Sequence, residues 1–300
     1  MNSQNQQNQG IILALTTFLL WGLLPVYWKF IAHVPALEIL AHRVIWSLFF
    51  LIILLLITRD WGWLAQIRHN RRLLLAFCAS STVLSINWLT YIWAVNAGYV
   101  VETSLGYFIN PLVSVFLGVV FLHEQIRWGQ WVAVGVATIG VLYLTIGYGA
   151  LPWIGLSLAF SFGIYGLIRK TAPLSSQQGL AFETTLMIPF ALIYLAWLEM
   201  QGVGAFGQMD LNTNLILMGA GIVTAVPLLT FAAAARRIPL SMVGLFQYIA
   251  PSIQFLLGIY VYHEPFTQTR LIGFSIIWLA LCIYAVEGTI LRTTKTAKGY

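Results

Sequence analysis

Two stretches of this sequence share one spacing: PLVSVFLGVVFLHE at residues 111–124 and PSIQFLLGIYVYHE at residues 251–264. Each has a proline at its start, a glycine seven residues later and a His-Glu pair at its end. The two stretches lie 140 residues apart, and each closes a long apolar run. Four matches at one offset indicate an internal duplication of the chain.

The composition is that of a membrane protein. Hydrophobic residues make up 60% of the 300-residue chain, and charged residues make up only 8%, against about 25% in soluble proteins. Apolar runs long enough to cross a hydrocarbon core about 30 Å thick recur throughout. Cys78 and Cys282 both fall within such runs, which favours packing roles over a disulfide or a metal site.

Ten apolar runs predict an all-α integral membrane fold with ten transmembrane helices. They must be helical because lipid offers no partner for open backbone polar groups. No small-residue cleavage site follows the first run, so we interpret it as a retained helix rather than a signal peptide. The predicted spans are 10–29, 36–57, 72–95, 101–122, 129–147, 151–169, 179–198, 212–235, 239–261 and 269–290.

The distribution of arginine and lysine predicts the orientation. With the N-terminus inside, only Lys29 and Arg270 lie outside, and Arg43 is the one basic residue embedded in a span rather than at its end. The positive-inside rule therefore places both termini in the cytoplasm. The cytoplasmic segments hold the other twelve of the 15 basic residues: Arg59, Arg68, Arg71, Arg72, Arg127, Arg169, Lys170, Arg236, Arg237, Arg292, Lys295 and Lys298.

Five spans per half make the duplication an inverted one, since the second half must enter the membrane from the opposite side. We predict a first repeat at 1–147, a second at 148–292 and a cytoplasmic tail at 293–300. Duplicated halves are typical of secondary transporters, whose substrate site lies where the halves meet. Further matches at the 140-residue offset are Leu40-Ala41 with Leu180-Ala181, Leu89-Thr90 with Leu229-Thr230, and Ile109 with Ile249. In the first span of each half the offset is 141 residues, which pairs Gly22 with Gly163 and Lys29 with Lys170.

Several stretches carry a family resemblance: Trp21-Gly22 through Trp28-Lys29, VPALEILAHR at 34–43, SLGYFINP at 104–111 and RRIPLS at 236–241. With the repeated Pro…Gly…Glu pattern, they resemble the EamA-type transporters of the drug/metabolite transporter superfamily. The resemblance implies an inner-membrane permease with a central cavity open alternately to each side, and spans five and ten at the periphery. It favours export of a small organic or drug-like solute over uptake.

Arg43 is the sharpest candidate for a substrate contact. A charge within a span is costly, by about 2.5 kcal/mol or more on insertion scales, so it should face a partner or a wet cavity. Glu38 and His42 are four residues apart and share a helix face just before it. Two interpretations stay open at this point. Arg43 either lines the cavity or forms a structural ion pair with an acidic side chain.

Glu183 aligns with Arg43 at the 140-residue offset. We expect the two residues to line one cavity or to bridge across it, directly or through cargo. Burial raises the pKa of a carboxyl group, so Glu183 is also a candidate proton carrier.

Other polar and aromatic side chains within the spans are predicted to surround the same cavity. Pro111 and Pro251 occupy equivalent positions, which favours a hinge role for the pair. The complete predicted substrate site is Trp21, Tyr27, His42, Arg43, Asn87, Tyr91, Tyr107, Asn110, Glu183 and Tyr248.

The two His-Glu pairs do not form a zinc-protease motif, because no second histidine follows four residues later. We expect them to cap or close loops at span ends. No phosphate-binding glycine loop is present, which leaves ATP coupling and other cofactors unsupported. Scattered basic residues without interleaved aromatics give little support to nucleic-acid binding.

Secondary transport of a small-molecule substrate is therefore the predicted function, and an enzymatic one is not. Three alternatives remain: a passive channel, an intramembrane enzyme on a lipid-linked substrate, and an accessory packing protein. The enzyme would need a nucleophile, an acid-base pair or a metal cluster at one depth. Gly135 and Gly140 in span five would permit a homodimer through spans five and ten, although their spacing differs from the small-xxx-small motif.

Overall fold

A computed structural model describes residues 3–59, 61–97, 99–261 and 268–297. Within these ranges the regular secondary structure is entirely helical. The helices are α1 (Ser3–Lys29), α2 (Ala36–Thr58), α3 (Trp63–His69), α4 (Arg71–Asn96), α5 (Val100–Leu122), α6 (Trp128–Tyr148), α7 (Trp153–Thr171), α8 (Ser176–Met200), α9 (Leu211–Ala235), α10 (Leu240–Gln247), α11 (Ile249–Tyr260) and α12 (Gln268–Ala297).

The prediction of an all-helical membrane fold is confirmed. Over the described part of the chain, nine helical segments are long and apolar enough to cross a membrane, with α10 and α11 counted as one segment. The remaining predicted span is α7, which has 19 residues and carries Arg169 and Lys170 in its last turn. Packing of α7 against α4, α5 and α9 includes it in the same bundle.

Contacts between helix ends show which of them lie at the same end of the bundle. At the terminal end, where α1 begins, Gly10 packs against Ile238 just after α9. Arg127 before α6 pairs with Glu287 of α12 at the same end. At the opposite end, the last turn of α6 approaches the start of α12, where Gly147 lies against Thr269. Consecutive spans therefore run in alternating directions, as the topology prediction requires.

Helix packing repeats between the two halves. α9 packs on α1 as α4 packs on α7, and α11 packs on α1 as α5 packs on α7. Across the middle, α2 meets α8, α5 meets α10, and α6 meets α12. A two-fold relation between inverted halves produces this pattern, so the packing is consistent with the predicted repeats.

The ninth span, predicted at 239–261, is interrupted at one residue, Tyr248, whose backbone dihedral angles stay helical at φ −62° and ψ −16°. α10 ends at Gln247 and α11 begins at Ile249. Pro251 explains the break, because it has no N–H to donate to the carbonyl four residues earlier, that of Gln247. The equivalent Pro111 lies inside α5, which continues without interruption.

Span five (α6) and span ten (α12) pack against one another within the chain. A Cβ atom added at Gly140 would lie 2.9 Å from the Ile277 side chain and 3.2 Å from the Gly273 carbonyl oxygen. Gly140 therefore allows close packing inside one chain, whereas Gly135 has no neighbour within 4 Å of its Cβ position among the described residues. The homodimer stays a prediction.

Candidate substrate cavity

Arg43 lies between the rings of two tryptophans. Its guanidinium carbon is 5.1 Å from the Trp28 ring centroid and 5.0 Å from the Trp88 ring centroid. Its Nε donates a hydrogen bond of 2.9 Å to the Thr224 hydroxyl. Trp28, Arg43, Trp88 and Thr224 come from α1, α2, α4 and α9, so the cation joins elements of both halves. No ion pair of Arg43 is present in the described residues, which favours the cavity interpretation over the structural one.

Two tyrosines complete the surroundings of this cation. The rings of Tyr91 on α4 and Tyr107 on α5 are 6.1 Å apart, and both lie close enough to Arg43 to interact with it electrostatically. Their side chains remain accessible, at 37% for Tyr91 and 42% for Tyr107. Both lie near the end of the bundle where α4 ends and α5 begins. The structure thus brings Arg43, Tyr91 and Tyr107 together, as predicted, around accessible space.

A close helix crossing positions Arg43. A Cβ atom at Gly221 of α9 would lie 2.2 Å from the Trp46 carbonyl carbon of α2, so only glycine permits this approach. Ser47 strengthens the crossing by donating a 2.9 Å hydrogen bond to the Gly221 carbonyl oxygen. One turn away on each helix, Arg43 therefore meets Thr224.

Glu38 and His42 contact the loop before α9, at Ala205 and Phe206, rather than the surroundings of Arg43. The Glu38 carboxylate accepts hydrogen bonds from the backbone N–H groups of Ala205 (2.6 Å) and Phe206 (3.3 Å). His42 is buried, with Nε2 at 3.9 Å from the Glu38 carboxylate and its ring 4.8 Å from the Phe206 ring. Asp210 ends the same loop as the N-cap of α9, and its pKa is lowered mainly because the Thr213 hydroxyl donates to it.

Glu183 has a separate set of partners from Arg43. It is fully buried and lies 3.6 Å from Arg169 Nη1. Ser80 and Tyr165 donate their hydroxyl hydrogens to its two carboxylate oxygens. Such an ion pair requires supporting hydrogen bonds, since two charges withdrawn from water lose their hydration. Glu183 is therefore a buried carboxylate that accepts one hydrogen bond on each oxygen and faces a buried guanidinium.

The burial of Arg169 differs from our expectation that it belongs to the cytoplasmic surface. Its side chain is shielded from solvent, stacks on Phe77 at 5.4 Å and donates to the Ser176 carbonyl oxygen at 2.9 Å. Gly179 makes room for it, because a Cβ there would overlap the guanidinium. Composition alone did not reveal this pair, since Arg169 precedes Lys170 at a span end and resembles an ordinary positive-inside arginine.

The remaining predicted residues mostly connect helices. Trp21 packs within an aromatic cluster beside Phe18, Phe162 and Phe231, with ring centroids 5.5–5.7 Å away. The Tyr27 hydroxyl donates to the Ile216 carbonyl oxygen and so links α1 to α9.

Asn87 links α4 to α7 by donating to the Leu158 carbonyl and Ser161 hydroxyl oxygens, each at 2.9 Å. Asn110 Oδ1 and the Tyr248 hydroxyl are buried and lack a hydrogen-bond partner in the part of the chain that is described.

Glu124 caps a helix other than its own. Its carboxylate accepts hydrogen bonds from the backbone N–H groups of Leu240 (2.6 Å) and Ser241 (2.9 Å), at the start of α10. Lys170 approaches the same carboxylate at 3.7 Å. A Cβ at Gly118 would lie 2.6 Å from the Glu124 carboxylate, so the glycine of the repeated motif makes room for the cap. The expected capping role holds for this pair, whereas His263 and Glu264 lie outside the described residues.

An apolar cavity of about 520 Å³ lies between α2, α4 and α8. We call it the lateral groove. Trp88 lines it and also stacks on Arg43, so the groove adjoins the cationic cavity. The other lining residues include Ala41, Val44, Ser81, Ser85, Leu186 and Phe190.

The sequence did not identify three members of the cationic cavity: Trp28, Trp88 and Thr224. Trp88 did carry a signal, because it lies deep within the third span whereas several of the 12 tryptophans lie near span ends; Trp28 lies close to the end of the first span. The described side chains include no cluster of three or more His, Cys, Asp or Glu residues that could hold a metal ion.

Comparisons with known proteins define the family. The model of the EamA-like transporter family matches residues 8–146. The chain is 45% identical over 298 residues to "Protein RarD" of Streptomyces exfoliatus, covering 99% of this chain and 94% of the relative. It is 45% identical to "Protein RarD" of Escherichia coli strain K12, covering 97% and 99%. It is 48% identical to the "Uncharacterized transporter YojE" of Bacillus subtilis strain 168, covering 93% and 94%.

One solved crystal structure has the same fold, with a TM-score of 0.72 over 95% of this chain and 99% of that chain, at 16% identity. The candidate spans, the family model and the relatives named as transporters together define a membrane transporter with many spans. The chain belongs to the EamA-like transporter family, and within it the chain is similar to the bacterial RarD proteins. The resemblance drawn from the sequence is thereby confirmed. These relatives are named as transporters or after RarD, in keeping with a function that is not enzymatic.

Proposed function

We propose that this protein is a secondary carrier that binds a small organic solute at Arg43. The observation that carries the proposal is the guanidinium held between Trp28 and Trp88, beside two accessible tyrosines. Arginine N–H groups match carboxylates and other planar electronegative groups in geometry. Aromatic faces would contact the body of the cargo. A solute with a carboxylate or a similar group fits this arrangement.

Alternating access is the proposed mechanism, and polar contacts at the terminal end support it. Lys170 donates to the carbonyl oxygens of Ala235 (2.9 Å) and Ile238 (2.6 Å) and approaches Glu124, which caps α10. These contacts join α5, α7, α9 and α10 and close the terminal end. The accessible tyrosines lie toward the opposite end. Exchange between the two states would release these contacts and bend the chain near Pro111 and Pro251.

The orientation and direction of transport are also part of the proposal. The excess of basic residues at the terminal end predicts that this end faces the cytoplasm. The protein would then lie in the bacterial inner membrane with both termini inside and its cavity accessible from outside. Export is the direction that we propose, following the family resemblance.

Solute counterflow in proteoliposomes tests the carrier. The panel would contain amino acids, other metabolites and chloramphenicol, each with and without a proton gradient. We expect saturable counterflow of at least one compound, lost in Arg43→Ala and retained in Arg72→Ala, which removes an exposed arginine at the terminal end of α4. Unchanged affinity and rate in Arg43→Ala would contradict the assigned site. Conductance without counterflow would favour a channel.

The predicted involvement of Glu183 requires its own measurement. If Glu183 carries a coupling proton, Glu183→Gln should abolish the response to a proton gradient while counterflow at equal pH persists. A gradient response that survives the substitution at every pH would rule out the proton-carrier role.

A further inference from the structure

The lateral groove is not required by a carrier of small polar solutes. We propose that it binds the hydrocarbon part of an amphipathic, anionic cargo whose head group binds Arg43, and that this cargo enters from the bilayer. This inference rests on the proposed function, because it specifies the class of substrate at the same cation.

The lining of the lateral groove suits a hydrocarbon chain. Its volume falls within the range of about 300–1,000 Å³ that is typical of small-molecule sites. Ala41, Val44, Leu186 and Phe190 supply apolar surface. Among the polar side chains, the Ser81 hydroxyl already donates to the Glu183 carbonyl oxygen at 3.1 Å. A hydrocarbon tail that binds there from aqueous solution would gain mainly because its apolar surface leaves water.

Trp88 connects the groove to the cation. One indole both lines the groove and stacks on the Arg43 guanidinium at 5.0 Å. An elongated ligand that lies in the groove would therefore have one end beside a positive charge. A hydrocarbon tail with an anionic head has the matching polarity, whereas a uniformly polar solute would leave the groove unfilled.

The mouth of the groove lies between membrane-spanning segments. α2 and α4 each pack on α8 but have little direct contact with one another. Side chains at this gap are exposed, at 52% for Leu89 and 77% for Phe190. All three helices are spans, and the exposed side chains at this gap are apolar, so the surface suits contact with lipid rather than with water. A tail could thus enter from the bilayer without crossing an aqueous phase.

Binding of linear carboxylates to the protein in lipid nanodiscs tests the proposal. Radiolabelled butanoate, octanoate and dodecanoate would be measured by equilibrium dialysis, with empty nanodiscs to subtract partition into the membrane. Ser85→Trp fills the groove, and Ala79→Trp places the same side chain on an exposed position of α4 outside its lining. The pair therefore separates occupation of the groove from a general effect of tryptophan.

We expect the affinity of the native protein and of Ala79→Trp to rise up to about fourfold for each added methylene that is buried. In Ser85→Trp, butanoate should bind as in the native protein, whereas dodecanoate should bind no better than butanoate. Equal gains with chain length in both variants would overturn the proposal. Butanoate binding and its loss in Arg43→Ala test the head-group site of the proposed carrier alone. The dependence of affinity on chain length tests the groove alone, so the two proposals can fail separately.

Photo-crosslinking of the native chain decides the matter if Ser85→Trp does not fold. A dodecanoate with a diazirine at its far end should label peptides of α4 and α8 in the native protein, and Arg43→Ala should lose this labelling. Labelling elsewhere would overturn the proposal. Labelling of the groove that persists in Arg43→Ala would show that the probe binds there as an ordinary lipid tail without its head group at Arg43, and this too would overturn it.

Discussion

Equivalent contacts in the two halves have different chemistry. In the first half, Trp28 of the first span stacks on Arg43 of the second at 5.1 Å. The repeat aligns Trp28 with Arg169 and Arg43 with Glu183, and in the second half these two form an ion pair at 3.6 Å. The two contacting positions are thus equivalent in the two halves, but the residue types and the kind of contact differ. The cation next to an indole borders accessible space, whereas the carboxylate next to an arginine is fully buried.

This difference shows how a duplicated chain becomes functionally asymmetric. A guanidinium stacked on aromatic rings keeps N–H groups available for a ligand. The Glu183 carboxylate already accepts hydrogen bonds from Ser80 and Tyr165 and faces the Arg169 guanidinium inside the protein. Under the proposed function, the first half would provide the binding group, whereas the second half provides a structural contact toward the terminal end.

The largest expected effect comes from breaking the buried pair. Glu183→Leu leaves Arg169 charged and without its carboxylate, and we expect a loss of about 3–5 kcal/mol in the free energy of unfolding. Unfolding of the purified protein in mixed micelles by added dodecyl sulfate, followed by circular dichroism, measures this loss.

The double substitution Arg169→Met, Glu183→Leu serves as the control, because it removes both charges. Apolar replacements of a buried pair are often neutral, so the double variant should regain most of the lost stability. A double variant as unstable as the single one would indicate that Glu183 acts through Ser80 and Tyr165 rather than through the ion pair.

A smaller effect is expected at the closed terminal end, from Gly118→Ala. The added Cβ would lie 2.6 Å from the Glu124 carboxylate and would displace the cap of α10. We expect a loss of about 1–3 kcal/mol in the free energy of unfolding, as for other overpacked sites. Gly135→Ala is the matched control, since its Cβ position meets no described neighbour within 4 Å. Equal stabilities of the two variants would contradict the role given to Gly118.

The sequence predicted the spans well because hydrophobic length is tied directly to bilayer thickness. Tertiary details were harder to predict. The break before Ile249 follows from Pro251, yet the equivalent Pro111 leaves α5 continuous. The same residue type therefore has two outcomes that depend on packing.

Arg43 was predictable because a lone charge within a span demands an explanation. Arg169 was not predicted to be buried, because a basic pair at a span end resembles a surface feature. The 141-residue offset of the first spans, which aligns Arg169 with Trp28, was the available signal. This alignment predicts a contact between Arg169 and Glu183 only once the equivalent contact between Trp28 and Arg43 is known.

The two prolines offer a test with a smaller effect. In Pro251→Ala, an N–H becomes available to the Gln247 carbonyl, so α10 and α11 should join. We expect slower hydrogen exchange over residues 244–252 and a lower counterflow rate. Pro111→Ala should change exchange less, because α5 is already continuous. Equal changes in both variants would show that the break in the ninth span has another cause.

The smallest effect on stability is expected at Arg43, where the effect on transport should be large. In Arg43→Leu, a side chain bordering accessible space loses one hydrogen bond to Thr224 and its contacts with two indoles. Cation–π contacts are worth about 0.5–1 kcal/mol each at exposed sites and about 2 kcal/mol or more where they are desolvated, and relief of a charge within the membrane offsets much of this loss. The free energy of unfolding should therefore fall by no more than about 1 kcal/mol, measured as for Glu183→Leu, while counterflow is lost. A large loss of stability in Arg43→Leu would mean that both halves use their charges structurally, and the asymmetry between them would then have to lie elsewhere.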